Sequence, residues 1–592
     1  MFGLNRKIFQ GSVKYFIWSG VSIFFAAVFQ MVNPIVIKLI IDYNIIKTTI
    51  EDPLLARIAE FIFRGNTLVM NLLIAAGIIL LFSLGRGVVL HFKGKNSAIG
   101  AEMVAKRLKD DLLAHIQELD YKFHVNTETG DLIQRATSDV ETVRRFLANQ
   151  LIEVVRAIFL LIVVTFFMLS LNPLLTLYAL CLIPFIVVYS YFFFNIVKRG
   201  FVKVEVAESE FTTVAQENLS GVKVVRAFNR KAYEIEKFDR SNQRFTEELY
   251  LLIRNMGIFW GTSDFLCFAQ IMVTVIAGIY FVINGQITVG TYVAFVSYGN
   301  MIIWPVRMMG RLLTDFGKAR IAGGRIQEIM SERQEDSEGQ QPQVRGEMVL
   351  KDVYFSYGDT PVLKGVNISV KPGQVIGIVG PTGSGKTTLA NILIGMLRAD
   401  TGQVTMDGLS IEKIDKKHLR KQISLVMQNT FLFAKSIEEN IKISSDHLGR
   451  EAVEHAAKVS SIHESILTFD QGYETLVGEK GVSLSGGQKQ RVSIARKIIE
   501  DSKLIIFDDS LSAVDTDTEI KIIGALKELK DSLGMVLISH RITSVMDADL
   551  IYVLEDGQIT DSGTHESLKI SNDFYKSVCD VQEADYREEH HV

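Results

Sequence analysis

A chain of 592 residues is too long to be organised around one hydrophobic core, and domain-size scaling divides it into about two to four units. Its formal net charge of -4 is close to neutral for that length, which removes any general case for a nucleic-acid partner. The mean hydropathy of +0.22 is high for a wholly soluble protein. The three cysteines, Cys181, Cys267 and Cys579, stand at unrelated spacings that suit neither a disulfide framework nor a zinc site, so each reads as a small buried apolar residue.

The apolar excess is uneven. Long apolar runs fill the chain up to about residue 325, and ordinary α/β sequence follows. The first residues lack a charged start, a short apolar core and a small-residue cleavage site in that order, so no removable leader is expected. Runs of about 20 residues, enough to cross the hydrocarbon of a bilayer, lie at 15–41, 68–89, 154–171, 174–197, 258–283 and 289–309, predicting six membrane-spanning helices. The connections at 93–149 and 198–254 are long, charged and helical in pattern, whereas those after the third and fifth spans are a few residues each. The long connections share a side with Arg6, Lys7 and Lys14, and the positive-inside rule places that side in the cytoplasm. The segment 44–67 is then the one sizeable external loop. Helices prolonged beyond the membrane at about 1.5 Å per residue make levers, with 123–139 and 211–228 as candidate contacts at their far ends; solvated helical hairpins are the competing reading.

An ionisable group inside a span costs roughly 2.5 to 3.5 kcal/mol and is a functional candidate by default. Asp264, with Trp260 and Gln270 on the same span, is a candidate for a central cavity attractive to cations, lined from the last span by Asn300, Trp304 and Arg307; a pairing of Asp264 with a neighbouring helix competes equally. Glu153 and Arg156, three residues apart on one helical face, read as a structural pair. Phe167, Phe192, Phe193, Met301 and Met308 suit a promiscuous apolar cavity, although helix packing or lipid contact accounts for each one singly.

In the second half, the apolar stretch Val375-Ile376-Gly377-Ile378-Val379 leads into Gly380-Pro381-Thr382-Gly383-Ser384-Gly385-Lys386-Thr387-Thr388, the spacing of a phosphate-cradling loop between a buried strand and a helix at 388–397. Glycines let backbone N–H groups face phosphates, Lys386 supplies a point charge, and the Thr387 hydroxyl suits Mg2+. Tyr357 is placed to stack an adenine ring. Gln428, at the end of a strand from 423, is a candidate for Mg2+ or its water. Leu484-Ser485-Gly486-Gly487-Gln488 opens a helix whose N-terminus suits a γ-phosphate. The strand Leu504-Ile505-Ile506-Phe507-Asp508 ends in a carboxylate suited to Mg2+, Ser512 to Asp515 follow, and His540 lies after a strand at 534–539.

These elements, in this order, resemble a half-transporter of the ATP-binding cassette exporter family over essentially the whole chain. The resemblance implies a membrane α-helical domain of six transmembrane helices, of the type 1 ABC exporter kind, followed by an α/β P-loop ATP-binding cassette. It divides the chain into a membrane domain at 1–325, a linker at 326–345, a nucleotide-binding domain at 346–581 and a tail at 582–592. It implies ATP and Mg2+ sandwiched head to tail between two cassettes, with Tyr357 as adenine platform, Gln428 as sensing glutamine, His540 as γ-phosphate switch and Ser485 to Gln488 completing the opposite site. The segment 475–481, with Glu479, resembles the exporter stretch that meets the coupling loops. One departure stands out: the family pattern has glutamate after the Mg2+ aspartate, and this chain has Asp509. A carboxylate one methylene shorter keeps its charge and misplaces the attacking water, so hydrolysis at this site is expected to be slow.

The expectation is therefore ATP-driven export of hydrophobic or amphipathic compounds across the cell membrane. The partners it implies are the lipid bilayer, a small hydrophobic substrate and a second half-transporter, a different subunit with glutamate at the matching position. A homodimer such as a lipid flippase, with Asp509 a tolerated variant, remains open, as does a channel-like or regulatory subunit. The acidic and histidine-bearing last residues read as a solvated tail.

Overall fold

The computed structural model of the protein describes residues 6–47, 53–63, 67–335, 338–445, 447–478, 481, 483–529 and 532–589. The chain forms two compact units, Met1–Glu118 with Thr127–Glu332 and Leu119–Asn126 with Arg333–Val592. The expected contact at Glu479 and the final His590 and His591 lie outside the described residues.

The first unit is helical throughout. Its long helices are α1 (Val13–Ile40), α3 (Leu68–Gln117), α7 (Leu151–Leu171), α9 (Ile183–Ser220), α11 (Lys231–Ile283) and α12 (Val289–Ser331). Between them lie α2 (Pro53–Phe63), α5 (Thr129–Gln134), α6 (Val140–Arg145), α8 (Pro173–Leu180) and α10 (Val222–Ala227), whereas α4 (Tyr121–Asn126), on the connection after α3, groups with the second unit. Among the described residues, 5 helices are long and apolar enough to cross a membrane, by length and composition. The sixth expected span is the first half of α12, where Asn300 and Pro305 dilute the apolar run. At 50 residues, α3 extends for about 75 Å, more than twice the roughly 30 Å of a hydrocarbon core.

The fourth span is broken. Pro184 lacks an N–H and its ring crowds the preceding turn, so α8 stops at Leu180 and α9 starts at Ile183. Gln270, buried on α11, satisfies what the break leaves over: its amide donates to the Tyr178 and Ala179 carbonyls (3.1 and 2.8 Å), and its side-chain oxygen accepts from the Leu182 N–H at 2.8 Å. Water is not available in the bilayer to do this. The break also turns Cys181 outward, so of the three cysteines only Cys267 and Cys579 are buried as expected.

At the far end of α1, the Asp42 carboxylate is fully buried and accepts from the Gly290 N–H (2.8 Å) and the Thr288 hydroxyl (2.6 Å), with the Lys38 ammonium at 3.5 Å. It thereby places an anion at the N-terminus of α12. A Cβ on Gly290 would stand 2.7 Å from that carboxylate, so no larger residue fits without displacing it.

The second unit contains two sheets. β1 (Met348–Tyr357), β2 (Thr360–Val370), β4 (Thr401–Met406) and β5 (Leu409–Ser410) form an antiparallel sheet in the order β2-β1-β4-β5. β3 (Val375–Val379), β6 (Ile423–Val426), β7 (Leu504–Asp508), β8 (Gly534–Ile538), β9 (Leu550–Glu555) and β10 (Gln558–Gly563) form the other, in the order β10-β9-β3-β8-β7-β6. All its pairs are parallel except β9 with β10. Every residue of β3, β7 and β8 is buried, as befits strands covered on both faces. The helices of this unit are α13 (Lys386–Leu393), α14 (Lys416–Gln422), α15 (Ile437–Ile441), α16 (Arg450–Val459), α17 (His463–Leu467), α18 (Gly486–Ile498), α19 (Thr516–Leu529), α20 (His565–Ser571) and α21 (Asp573–Glu589). The antiparallel sheet and α13 share a core with one face of the buried strands, and α15, α16 and α17 pack with α18 in a cluster of their own. The stretch from 582, read from sequence as a tail, is helical to Glu589. Replacing Gln270 by leucine keeps the apolar bulk and removes the side-chain partner of the Ala179 carbonyl and the Leu182 N–H. It is expected to lower stability by about 1–3 kcal/mol, measured as a lower thermal midpoint of the detergent-solubilised protein, while Gln270→Glu at neutral pH does no better.

Candidate functional site

The loop after β3 is built for close approach of an anion. Gly383 and Gly385 have φ of +85° and +102°, and a Cβ on Gly380 would run into the Leu554 carbonyl. Gly385 is the N-cap of α13 and offers no side-chain cap, so the first N–H groups of that helix stay open toward a ligand. The Lys386 ammonium donates to the Gly380 and Pro381 carbonyls, both at 2.8 Å, and so stands over the loop where phosphates would lie. Burial pushes Lys386 below the usual lysine range, with the Asp509 and Asp508 carboxylates opposing. Ser384 is buried with a hydroxyl that finds no protein partner, and Thr388 is buried beneath the loop. Thr382 and Pro381 lie exposed at the rim.

The Thr387 hydroxyl donates to Asp508 at 3.2 Å. Burial raises the Asp508 carboxyl, and the neighbouring Asp509 raises it further, while Thr387 and Lys386 oppose. One hydroxyl and one carboxylate, all oxygen, fit Mg2+, which takes few protein ligands and completes its shell with phosphates and water. No cluster of three or more His, Cys, Asp or Glu side chains suited to a resident metal occurs among the described residues.

Asp509 follows with φ +48°, a left-handed conformation that aspartate enters more readily than most residues. Its Oδ2 accepts from Gln428 Nε2 at 3.1 Å, and its Oδ1 lies 2.8 Å from His540 Nδ1. Three of the residues singled out from sequence thus converge on one carboxylate. Gln428 sits two residues beyond the end of β6 rather than at its last position.

Ser485 is the N-cap of α18, and its side chain forms a capping box with Gln488: Ser485 Oγ accepts from the Gln488 N–H at 3.3 Å and Gln488 Oε1 accepts from the Ser485 N–H at 3.0 Å. The N–H groups of Gly486 and Gly487 are left for an outside anion. A Cβ on Gly487 would stand 2.9 Å from the Ala513 carbonyl, so this glycine lets α18 approach the loop after Asp509. Gln490, which the sequence gave no reason to single out, is buried and accepts from the Ala513 N–H at 3.1 Å, tying the same two segments together.

Tyr357 presents an accessible ring, steadied edge-on by Phe355 at 4.9 Å between centroids, consistent with an adenine platform. Tyr121, on the first long connection, was not anticipated. It packs against the cassette core, and burial pushes its phenol up, with the Asn391 side chain and the Tyr357 and Asp508 groups close by. The expected contact at 123–139 is therefore divided: Leu119–Asn126 belongs to the cassette unit and Thr127 onward to the helical unit.

In the helical unit, Asp264 does not stand free. It pairs with Arg307 of α12, whose buried guanidinium lies 4.3 Å from the Trp260 ring and 6.0 Å from Trp304. The cation-attracting reading of Asp264 is thereby corrected, because its charge is neutralised from the facing helix. Gln270 is occupied at the helix break, and the Asn300 amide donates to the Val296 carbonyl of its own helix while the residue stays exposed. A cavity of about 300 Å³ does lie between the start of α7 and α12. Trp304, Met308 and Leu312 give it an apolar side, and Glu153, Arg156, Arg311 and Asp315 a charged one. Glu153 and Arg156 are paired at 2.6 Å, as expected, and they line the cavity as well.

Comparison with known proteins agrees with this geometry. The profile of the ABC transporter transmembrane region matches residues 16–306, and that of the ABC transporter cassette matches 363–512. The ABC transporter ATP-binding protein YknU of Bacillus subtilis is 31% identical over 97% of this chain and 96% of its own. YgaD of Bacillus subtilis, an ATP-binding/permease protein named for multidrug export, is 32% identical over 81% of this chain and 84% of its own. The ATP-dependent lipid A-core flippase of Syntrophus aciditrophicus is 30% identical over 82% of this chain and 81% of its own. The structure of a bacterial Atm1-family ABC exporter with ATP bound superposes with a TM-score of 0.79 at 22% identity, over 96% of this chain and 99% of that one.

The chain belongs to the ABC transporter family: it is an exporter half-transporter, a multi-pass membrane protein whose cassette binds and hydrolyses ATP. Truncating Lys386 to alanine removes a charge-assisted contact of about 1.5–3 kcal/mol. Titration with a fluorescent ATP analogue is expected to show affinity reduced by roughly ten- to a hundredfold, with the nucleotide-free thermal midpoint little changed. Equal affinity would remove Lys386 from the phosphate site.

Proposed function

We propose that this chain exports hydrophobic or amphipathic compounds across the cell membrane, cassette in the cytoplasm, as one half of a heterodimer whose own ATP site binds nucleotide firmly and splits it slowly. The observation that carries the reading is the setting of Asp509. It stands where the family places glutamate, is one methylene shorter, and has Gln428 on one oxygen and His540 at the other. Those two groups crowd the carboxylate from which water would be oriented, and a displacement of about 1 Å loses roughly 10²-fold in rate.

In this reading Tyr357 stacks the adenine, Gly380 to Thr388 with Lys386 hold the phosphates, Thr387, Asp508 and Gln428 face Mg2+, and His540 contacts the terminal phosphate. Bound Mg2+ neutralises charge on the phosphates as the terminal bond breaks. Ser485, Gly486, Gly487 and Gln488 complete the site on the partner cassette, whose glutamate carries most of the turnover. Nucleotide held across both cassettes draws them together, and the long helices pass that closure to the spans. The cavity between α7 and α12 supports an amphipathic cargo, since Trp304 and Met308 suit an apolar body and the paired charges suit a polar head. Retention of His540 and Gln428 favours, as a second reading, a homodimer in which both sites turn over.

Two measurements separate these readings. Asp509→Glu is expected to raise hydrolysis and vanadate trapping at this site by roughly tenfold or more; no change in either sinks the slow-site reading. Purification from the native membrane should bring down a second cassette subunit with glutamate at the matching position, and a brisk homodimer from the isolated chain would favour the alternative. Uphill, ATP-dependent accumulation of a hydrophobic dye in inverted vesicles distinguishes a pump from a gate.

A further inference from the structure

His540, whose Nδ1 lies 2.8 Å from Asp509, sits on a short stretch of main chain that is held from more than one side. That chain runs from the end of β8 at Ile538 to a single turn of 3-10 helix at Ile542–Ser544, and it is too short to belong to either element. The Ser539 hydroxyl accepts from the Arg541 N–H at 3.0 Å and steadies one peptide. The His540 carbonyl and the Ile542 N–H are satisfied from outside the loop, both by Gln582. Its Nε2 donates to the His540 carbonyl at 2.9 Å, and its Oε1 accepts from the Ile542 N–H at 2.8 Å. The two bonds fix the orientation of the amide, because the carbonyl can only accept and the N–H can only donate.

Gln582 is itself firmly placed. Tyr575, Cys579 and Gln582 follow one another at helical spacings of four and three, so they share a face of α21. Tyr575 and Cys579 are buried in the same cluster as Ile542 and Val545 of the loop. Packing therefore anchors α21, and its next residue on that face carries a two-armed polar clamp to the histidine loop. The His540 ring, with 56% of its side chain exposed, has no such packing to hold it, so its position depends on its backbone.

We infer that Gln582 is a positioning residue for ATP hydrolysis: the C-terminal helix sets the main chain of His540, and through it the height of the imidazole at Asp509 and the terminal phosphate. The inference rests on the reading of His540 as the group facing that phosphate. It also gives α21, which lies beyond the residues matched by the cassette profile, a role in turnover rather than in stability alone.

The test is single-turnover hydrolysis of bound ATP by the assembled transporter in lipid nanodiscs, this chain with its partner cassette and the partner's catalytic glutamate replaced by glutamine so that this slow site is read, measured beside ATP affinity and the thermal midpoint. Gln582→Met keeps the length of the side chain and removes both bonds. It is expected to slow the single-turnover step by roughly tenfold, with ATP affinity and thermal midpoint unchanged. Gln582→Glu keeps the acceptor for Ile542 and sets an anion against the His540 carbonyl, so it should slow the step at least as much. His540→Ala is run in parallel. If it slows hydrolysis and both Gln582 variants turn over at the parent rate, the clamp is overturned while the reading of His540 stands. If His540→Ala leaves the rate unchanged, the reading of His540 fails and takes the clamp with it. If Gln582→Met loses activity only in proportion to folded protein and Gln582→Glu retains the parent rate, the glutamine is structural and the inference is wrong.

Discussion

Parallel pairing of β3, β8 and β7 is the constraint on which the nucleotide site depends. The register sets Ile378 beside Ile538 and Ile538 beside Asp508, so all three strands end at the same edge. The ladder then runs on past the strands, with Ser539 N–H donating to the Ile378 carbonyl at 3.2 Å and Asp509 N–H to the Ile538 carbonyl at 2.8 Å. Those bonds carry the phosphate loop, the two aspartates and the histidine to one place from positions about 130 to 160 residues apart in the chain, in the crevice beyond the carboxyl ends of the strands where α/β sheets bind ligands. Because every residue of the three strands is buried, the edge cannot shift without exposing apolar core.

In the helical unit the governing constraint is different: a polar group in hydrocarbon must find its partner within the protein. Gln270 meets it at the broken fourth span and Arg307 meets it by pairing with Asp264 across to α11. Asp264 and Gln270, which looked functional because they were expensive, are both satisfied across a helix interface. The charges around the cavity at α7 and α12 are paired as well, Glu153 with Arg156 and Arg311 with Asp315. Such a surface presents dipoles rather than a net charge.

Local chemistry was readable in the sequence and distant partnership was not. The phosphate loop was legible because its glycines, lysine and threonine act within nine consecutive residues, and the helix start at Ser485 because a cap and its Gln488 partner lie three apart. Long apolar runs announced the spans. The pairing of Asp264 with a residue 43 positions away, the break that exposes Cys181, and the use of Gln270 to repair it arise only when helices are set side by side. Tyr121 belongs with the cassette, in an eight-residue stretch, Leu119–Asn126, cut out of a connection whose two ends belong with the spans, and Gln582 looked like part of a polar tail because its two bonds go to main-chain atoms that no side-chain pattern records.

A site that holds nucleotide and splits it slowly has a defined energetic consequence. Binding can shift an equilibrium between open and closed cassettes only by the difference in affinity for the two states, so a slow site acts through occupancy rather than through release of products. The left-handed backbone at Asp509 is one that aspartate tolerates well, and it sets the short side chain where Gln428 and His540 both approach its carboxylate. What such a site would gain in holding ATP, and in keeping the two cassettes engaged, it would lose in turnover.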